Sequence, residues 1–273
     1  MQTKLIALDL DGTTFNDSGN LSLENTAAIK RAIAKNIHII IASGRAFHTI
    51  PQSILKIKGI EYAITSNGAC IHNAKNGDII KKNPLHPQSI NKLLKIERPY
   101  NLMIEAFVEG KAYSQKSFLE NAVKYGASPK FTEYIRKTRI PVESIKDFIL
   151  ENIDNIDNID FTIRKDTPEK FISEVRNVEG IYVTSSVSHL IEIGDENAGK
   201  GNGLKYICEM LQIPPENTAA FGNAQNDADM LKFSGTGIAV ENCDTQLKEI
   251  ADKICPSNNE NGIAWAFENI LNI

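Results

Sequence analysis

Asp9 and Asp11, separated only by Leu10, close an apolar run that begins at Lys4, and Gly12 and Thr13 follow them. Two carboxylates one residue apart at the end of a strand can project into the same crevice, while the glycine lets the backbone turn away at little steric cost. Beside buried apolar side chains such a pair is costly unless its charge is used. A hard cation such as Mg2+ favours ionised oxygen ligands, and a phosphate bound through that ion completes the neutralisation. A plain turn and a calcium loop are the competing readings. A calcium loop would want an acidic or amide residue where Thr13 stands, glycine where Thr14 stands and a later glutamate, behind a helix rather than a β-type run.

Three further groups carry chemistry of the same kind. Ala42-Ser43-Gly44-Arg45 closes a second β-branched run. A hydroxyl, a glycine N–H and a helix amino terminus there make a phosphate cradle, or merely a turn and a cap. Lys200, between Gly199 and Gly201, offers a compact positive charge to a phosphate, or to solvent. Phe221-Gly222-Asn223-Ala224-Gln225-Asn226-Asp227 runs from a strand end through a glycine turn into a polar cluster. Its amide and carboxylate oxygens suit a metal, directly or through water, and they equally suit helix capping.

These residues need elements that bring them together. Residues 4–10, 37–42 and 61–65 read as strands, and 22–35 and 46–58 as helices, the first behind a serine cap. That order describes βαβ units on a parallel sheet, which binds ligands at the carboxyl ends of its strands. From about Pro84 the texture changes to strand-like pieces at 102–108, 160–164 and 180–185, with helical stretches near 118–125 and 168–175. After Gly194 the βα pattern resumes, with a helix at 199–211, a strand at 218–221, a helix at 227–233 and a strand at 237–240. The expected fold is α/β, a Rossmann-like core of residues 1–83 and 194–273 with an α+β cap at 84–193. The Asn-Ile-Asp repeat at 152–160 fits neither the strand nor the helix period and reads as a helix-to-strand connection in the cap.

The 273 residues suffice for one large domain or two smaller ones. With 42% hydrophobic and 23% charged residues and a net charge of −4, the chain is ordinary for a soluble globular protein. That balance argues against an extended nucleic-acid-binding face but leaves room for small anionic substrates. Cys70, Cys208, Cys243 and Cys255 have no metal-ligand spacing and read as small buried hydrophobes. No run approaches the ~18 apolar residues of a membrane span, and no cleavable leader pattern opens the chain, so the cytoplasm is the expected compartment. A monomer or small homo-oligomer is expected.

Taken together, the four groups resemble the haloacid dehalogenase-like hydrolases, in particular the Cof-type group, whose large α+β cap follows the third core strand. Ser66-Asn67-Gly68-Ala69 and Lys200-Gly201 resemble further signatures of that group. The resemblance implies a phosphatase in which Asp9 attacks phosphorus to form an aspartyl-phosphate and Asp11 serves as acid and then base. It further implies that Ser43, Lys200, Asn226 and N–H groups near Leu10 and Gly44 hold the phosphoryl oxygens. Mg2+ would be held by the Asp9 side chain, the Asp11 carbonyl and Asn223, with Asp227 contributing directly or through water. The family usually has Asp where this chain has Asn223, which predicts weaker metal binding. A phosphometabolite-binding protein with little turnover and a phosphoryl-transferring mutase remain alternatives. The cap would select a small phosphorylated substrate, with Arg164, Lys165, His189 and Glu192 as candidate contacts.

Overall fold

The computed structural model describes residues 2–99, 102–129 and 132–273. Its strands are β1 (Leu5–Leu8), β2 (His38–Ala42), β3 (Ile60–Thr65), β4 (Cys70–Asn73), β5 (Ile79–Lys82), β6 (Ile104–Val108) and β7 (Lys111–Gln115). They continue as β8 (Arg139–Val142), β9 (Ile156–Thr162), β10 (Ile181–Thr184), β11 (Leu190–Asp195), β12 (Thr218–Gly222), β13 (Thr236–Val240) and β14 (Lys253–Cys255).

Eight of them form one sheet in the order β14-β13-β12-β1-β2-β3-β4-β5. From β14 to β3 every pairing is parallel, and β4 and β5 add an antiparallel edge. Helices cover both faces, which is why the central strands are apolar on both sides. Leu23–Ala34 and Gly262–Asn269 pack Ala28, Ile29, Ile263 and Phe267 against one face. Lys200–Leu211 and Ala228–Phe233 pack Leu204, Ile207 and Met230 against the other. The first helix begins as its sequence predicts, with the Ser22 hydroxyl accepting from the Asn25 N–H at 3.1 Å.

The other six strands form a sheet in the order β10-β11-β9-β6-β7-β8, antiparallel except for β7 with β8. Its apolar face carries Ile104, Ala106, Ile159, Phe161, Ile191 and Ile193 into a core of its own. The α/β fold class thus agrees with the sequence reading, a parallel Rossmann-like sheet accompanied by a separate α+β layer. β11 ends at Asp195, beyond residue 193. No helix among the described residues is long and apolar enough to cross a membrane.

Two local expectations fail for identifiable reasons. Residues 46–58 do not make one helix: a 3-10 turn at Phe47–Thr49 is followed by a short helix at Gln52–Leu55. Pro51 has no N–H to donate and holds Ile50 extended, so the helix restarts behind it. The Asn-Ile-Asp repeat is a connection only as far as Asn155. From Ile156 it is β9, paired by β6 on one edge and β11 on the other and buried along its length. From Asn158 onward polar and apolar residues alternate, so the strand period overrides the apparent period of three.

Candidate active site

The carboxyl ends of β1, β2 and β12 meet at one edge of the parallel sheet, and the four chemical groups sit there. Asp9 follows β1 directly, and its N–H donates to the Phe221 carbonyl at 3.1 Å, joining the ends of β1 and β12. Lys200, the first residue of its helix, is wholly buried. Its Nζ lies 2.7 Å from Asp9 Oδ1 and 2.6 Å from Asp227 Oδ1.

One ammonium between two buried carboxylates leaves a net negative charge, and the proton affinities respond. Burial alone would pull the Lys200 pKa down, but Asp227 and Asp9 outweigh it and hold the ammonium protonated well above its ordinary range. Burial, reinforced by Asp227, pushes Asp9 up to about 7 against the opposing pull of Lys200. Both Asp227 oxygens are engaged, since Oδ2 accepts from the N–H groups of Asn223 at 2.9 Å and Ala224 at 3.1 Å while Oδ1 meets Lys200. Its contacts in this structure are those of a counter-ion to Lys200 that shapes the loop.

Asn223 faces Asp9 across this loop. The inward terminal atom of its amide lies 2.9 Å from Thr13 Oγ1, 3.1 Å from Asp9 Oδ2 and 3.0 Å from the Asp11 carbonyl oxygen. With nitrogen inward the amide donates to this ring of acceptors, which is the stable arrangement without a cation. With oxygen inward, a carboxylate, a carbonyl and an amide oxygen converge, an all-oxygen donor set of the kind Mg2+ takes. Among the described residues no three His, Cys, Asp or Glu side chains cluster to hold a metal. Such a site therefore depends on the Asp11 carbonyl and the Asn223 amide. Gly12 makes room for it: at φ +75° it turns the chain, and a Cβ there would lie 2.7 Å from Asn223 Nδ2.

Asp11 points elsewhere. Its side chain is 54% exposed and is gripped at both oxygens by Arg45, with Nε to Oδ2 at 2.6 Å and Nη2 to Oδ1 at 2.8 Å. The same guanidinium donates to the Thr49 carbonyl and lies 4.6 Å above the ring of Tyr134, which belongs to the helix Thr132–Thr138 beside the six-stranded sheet. Ser43 is buried at the end of β2, and its hydroxyl accepts from the Arg45 N–H at 3.2 Å.

Asn67, quoted in the sequence without a role, proves to be the junction of the site. Its N–H donates to the Ser43 carbonyl and its carbonyl accepts from Gly199. Its side chain accepts from Asn226 Nδ2 at 3.0 Å and donates to Glu192 Oε1 at 3.1 Å. Asn226 thus reaches Asn67 directly. Residues 66–68 all have positive φ, and a Cβ on Gly68 would fall 2.1 Å from the Gly199 carbonyl oxygen. The Asn-Gly pair was the available signal for this left-handed turn. Gly44 lies under Asn67 and Glu192, either of which a Cβ would approach to 3.1 Å. Of the four cap residues read from the sequence, Glu192 touches these loops, whereas Arg164 pairs with Asp166. Surface hollows of about 360 Å³ beside Leu119 and about 340 Å³ beside Cys208 lie away from Asp9, which is buried.

A family model described as haloacid dehalogenase-like hydrolase matches residues 6–267. Phosphatase YwpJ of Bacillus subtilis is 29% identical over 291 residues, covering 98% of this chain and all of that protein. The 5-amino-6-(5-phospho-D-ribitylamino)uracil phosphatase YwtE of the same organism is 28% identical, covering 98% of each. The solved structure of a haloacid dehalogenase-like hydrolase from B. subtilis superposes with a TM-score of 0.84 at 29% identity, covering 98% of this chain and 100% of that one.

Proposed function

The chain belongs to the haloacid dehalogenase-like hydrolases, and from that premise we propose that it is a Mg2+-dependent phosphatase of small phosphomonoesters whose nucleophile is Asp9. The observation that carries this reading is the buried Asp9–Lys200–Asp227 group at the carboxyl end of β1. Lys200 and Asp227 fix the Asp9 carboxylate, and Lys200 brings a positive charge to the point where phosphoryl oxygens must lie.

In the first half-reaction an Asp9 oxygen bonds to phosphorus as the bond to the leaving oxygen breaks, and Asp11 gives that oxygen its proton. In the second, Asp11 takes a proton from water, the water oxygen bonds to phosphorus, and the Asp9–phosphorus bond breaks to release phosphate. Ser43, Lys200 and the N–H groups near Leu10 and Gly44 hold the transferring oxygens. Asn226 is proposed to reach the same group, its side chain steadied by Asn67. Asp9, the Asp11 carbonyl and Asn223 would hold the metal, which when bound neutralises charge on the phosphoryl oxygens. Residues 84–193 are the proposed cap and 1–83 with 194–273 the proposed core, the cytoplasm being the proposed site of action.

Phosphate release from a panel of phosphomonoesters at varied Mg2+ tests the reading. Release by the native protein and none by Asp9→Asn is the expected pair of results. No release from any ester at any Mg2+ concentration would favour the second reading, a phosphometabolite-binding protein, which draws on the amide at Asn223.

A further inference from the structure

The polar face of the six-stranded sheet carries a feature that the phosphatase reading leaves unexplained. Ser114 on β7 stands opposite Glu105 on β6, Glu105 opposite Asp160 on β9, and Asp160 opposite Glu192 on β11. Three carboxylates and a hydroxyl thus form one transverse row, each more than nine-tenths buried. Cross-strand neighbours share a face, and like charges set directly opposite destabilise a sheet. Asn158, on the same face and on the strand of Asp160, is equally buried.

Only part of this row is satisfied from within. Arg139 takes both oxygens of Glu105, its closest approach being 2.6 Å to Oε2. Glu192 accepts from Asn67 Nδ2 and from the Ser186 N–H. Asp160 accepts from the Asn158 amide. Among the described residues neither Asp160 nor Glu192 has a Lys, Arg or His within ion-pair distance; the cations whose charge reaches them, Arg139 and Lys200, are each paired with other carboxylates. The Ser114 hydroxyl and the Asn158 amide oxygen, both buried, have no hydrogen-bond partner. Burial and the adjoining Glu192 and Glu105 push the Asp160 pKa well up, and burial raises that of Glu192. A ligand cation would relieve both.

The row is aimed at the catalytic loops. At one end Glu192 rests on Gly44 and Asn67. At the other, the Arg139 guanidinium that holds Glu105 shares the Tyr134 ring with Arg45, the partner of Asp11.

Resting on the phosphatase reading, we propose that this row is the leaving-group subsite and that it takes an amine-bearing polyhydroxy compound, a phosphorylated amino sugar in preference to its neutral counterpart. The ammonium sits between Asp160 and Glu192, and hydroxyls meet Asn158 Oδ1 and Ser114. An acidic or purely apolar leaving group is disfavoured, because it would leave buried acceptors unpaired.

Dissociation constants by calorimetry for the Asp9→Asn protein test this without turnover, using glucosamine 6-phosphate, N-acetylglucosamine 6-phosphate and glucose 6-phosphate. The free amine is expected to bind about tenfold more tightly than either neutral compound, as one charge-assisted contact provides. Adding Asp160→Asn or Glu192→Gln is expected to abolish that preference. The ranking with Asp9→Asn alone decides the matter if neither added change folds. Equal affinities, tighter binding of a neutral compound, or no binding of any would overturn the proposal. Hydrolysis of p-nitrophenyl phosphate by the native protein judges the phosphatase reading separately, since it asks nothing of the row.

Discussion

Arg45 holds both carboxylate oxygens of Asp11, at 2.6 and 2.8 Å, while its guanidinium lies 4.6 Å from the ring centre of Tyr134 in the neighbouring layer. The acid–base candidate and the cap therefore share one side chain. A planar fork is needed for this grip, and a lysine offers only a point charge. Both Arg45→Ala and Arg45→Lys are expected to lower kcat by about tenfold or more, within the range that general acid–base catalysis supplies. Steady-state kinetics check this. A change confined to KM would show that Arg45 serves substrate binding and not the placing of Asp11.

The proton on Asp9 makes metal-free stability depend on pH. In the folded chain Asp9 keeps its proton to about 7, whereas the ordinary value of an aspartate is 3.8. Folding therefore takes up a proton between those values, and stability falls as pH rises through that window, by at most about 1.4 kcal/mol per pH unit. Urea unfolding in EDTA at several pH values between 4 and 7 measures the slope. Asp9→Asn is expected to flatten it, and an unchanged slope would assign the proton elsewhere.

Much of the site was legible because its residues end strands. Asp9, Ser43 and Asn223 each follow an apolar run, so the parallel-sheet rule placed them on one edge without knowledge of any contact. Contacts between segments distant in the chain were not legible. Nothing near Asp227 says that both its oxygens are taken, one by Lys200 and one by its own loop. Nor does the sequence around Asn67 announce that one amide joins Asn226 to Glu192. Only the end of β9 was anticipated, in the strand-like piece at 160–164, and its first residues were missed for a related reason. Its polar residues suit a connection locally, and only pairing on both edges with β6 and β11 makes it central.

Gly68 tests how closely the Asn67 junction is fitted. Its φ is +91°, and a Cβ would overlap the Gly199 carbonyl oxygen at 2.1 Å, with backbone on both sides of the contact. Neither partner is a flexible side chain, so the two segments must part. Gly68→Ala is expected to destabilise the protein by about 2 kcal/mol or more. It should also lower activity, because the displaced segments carry Asn67 and Lys200. A melting temperature within about 2 °C of the native value would mean that the two loops separate easily.

Asn223→Asp is expected to change metal affinity and metal-free stability in opposite directions. The new carboxylate joins Asp9 Oδ2 and the Asp11 carbonyl, where the native amide can turn its nitrogen inward and donate to both. Without a cation the variant loses those donated bonds and adds a negative charge beside buried Asp9, so it should be less stable in EDTA, by about 1–3 kcal/mol. With Mg2+ the extra charge acts favourably, and the concentration giving half-maximal stabilisation should fall by about tenfold. Thermal melts across a Mg2+ titration read both effects without requiring turnover. A variant that gains stability in EDTA, or whose Mg2+ midpoint does not move, would remove Asn223 from the donor set.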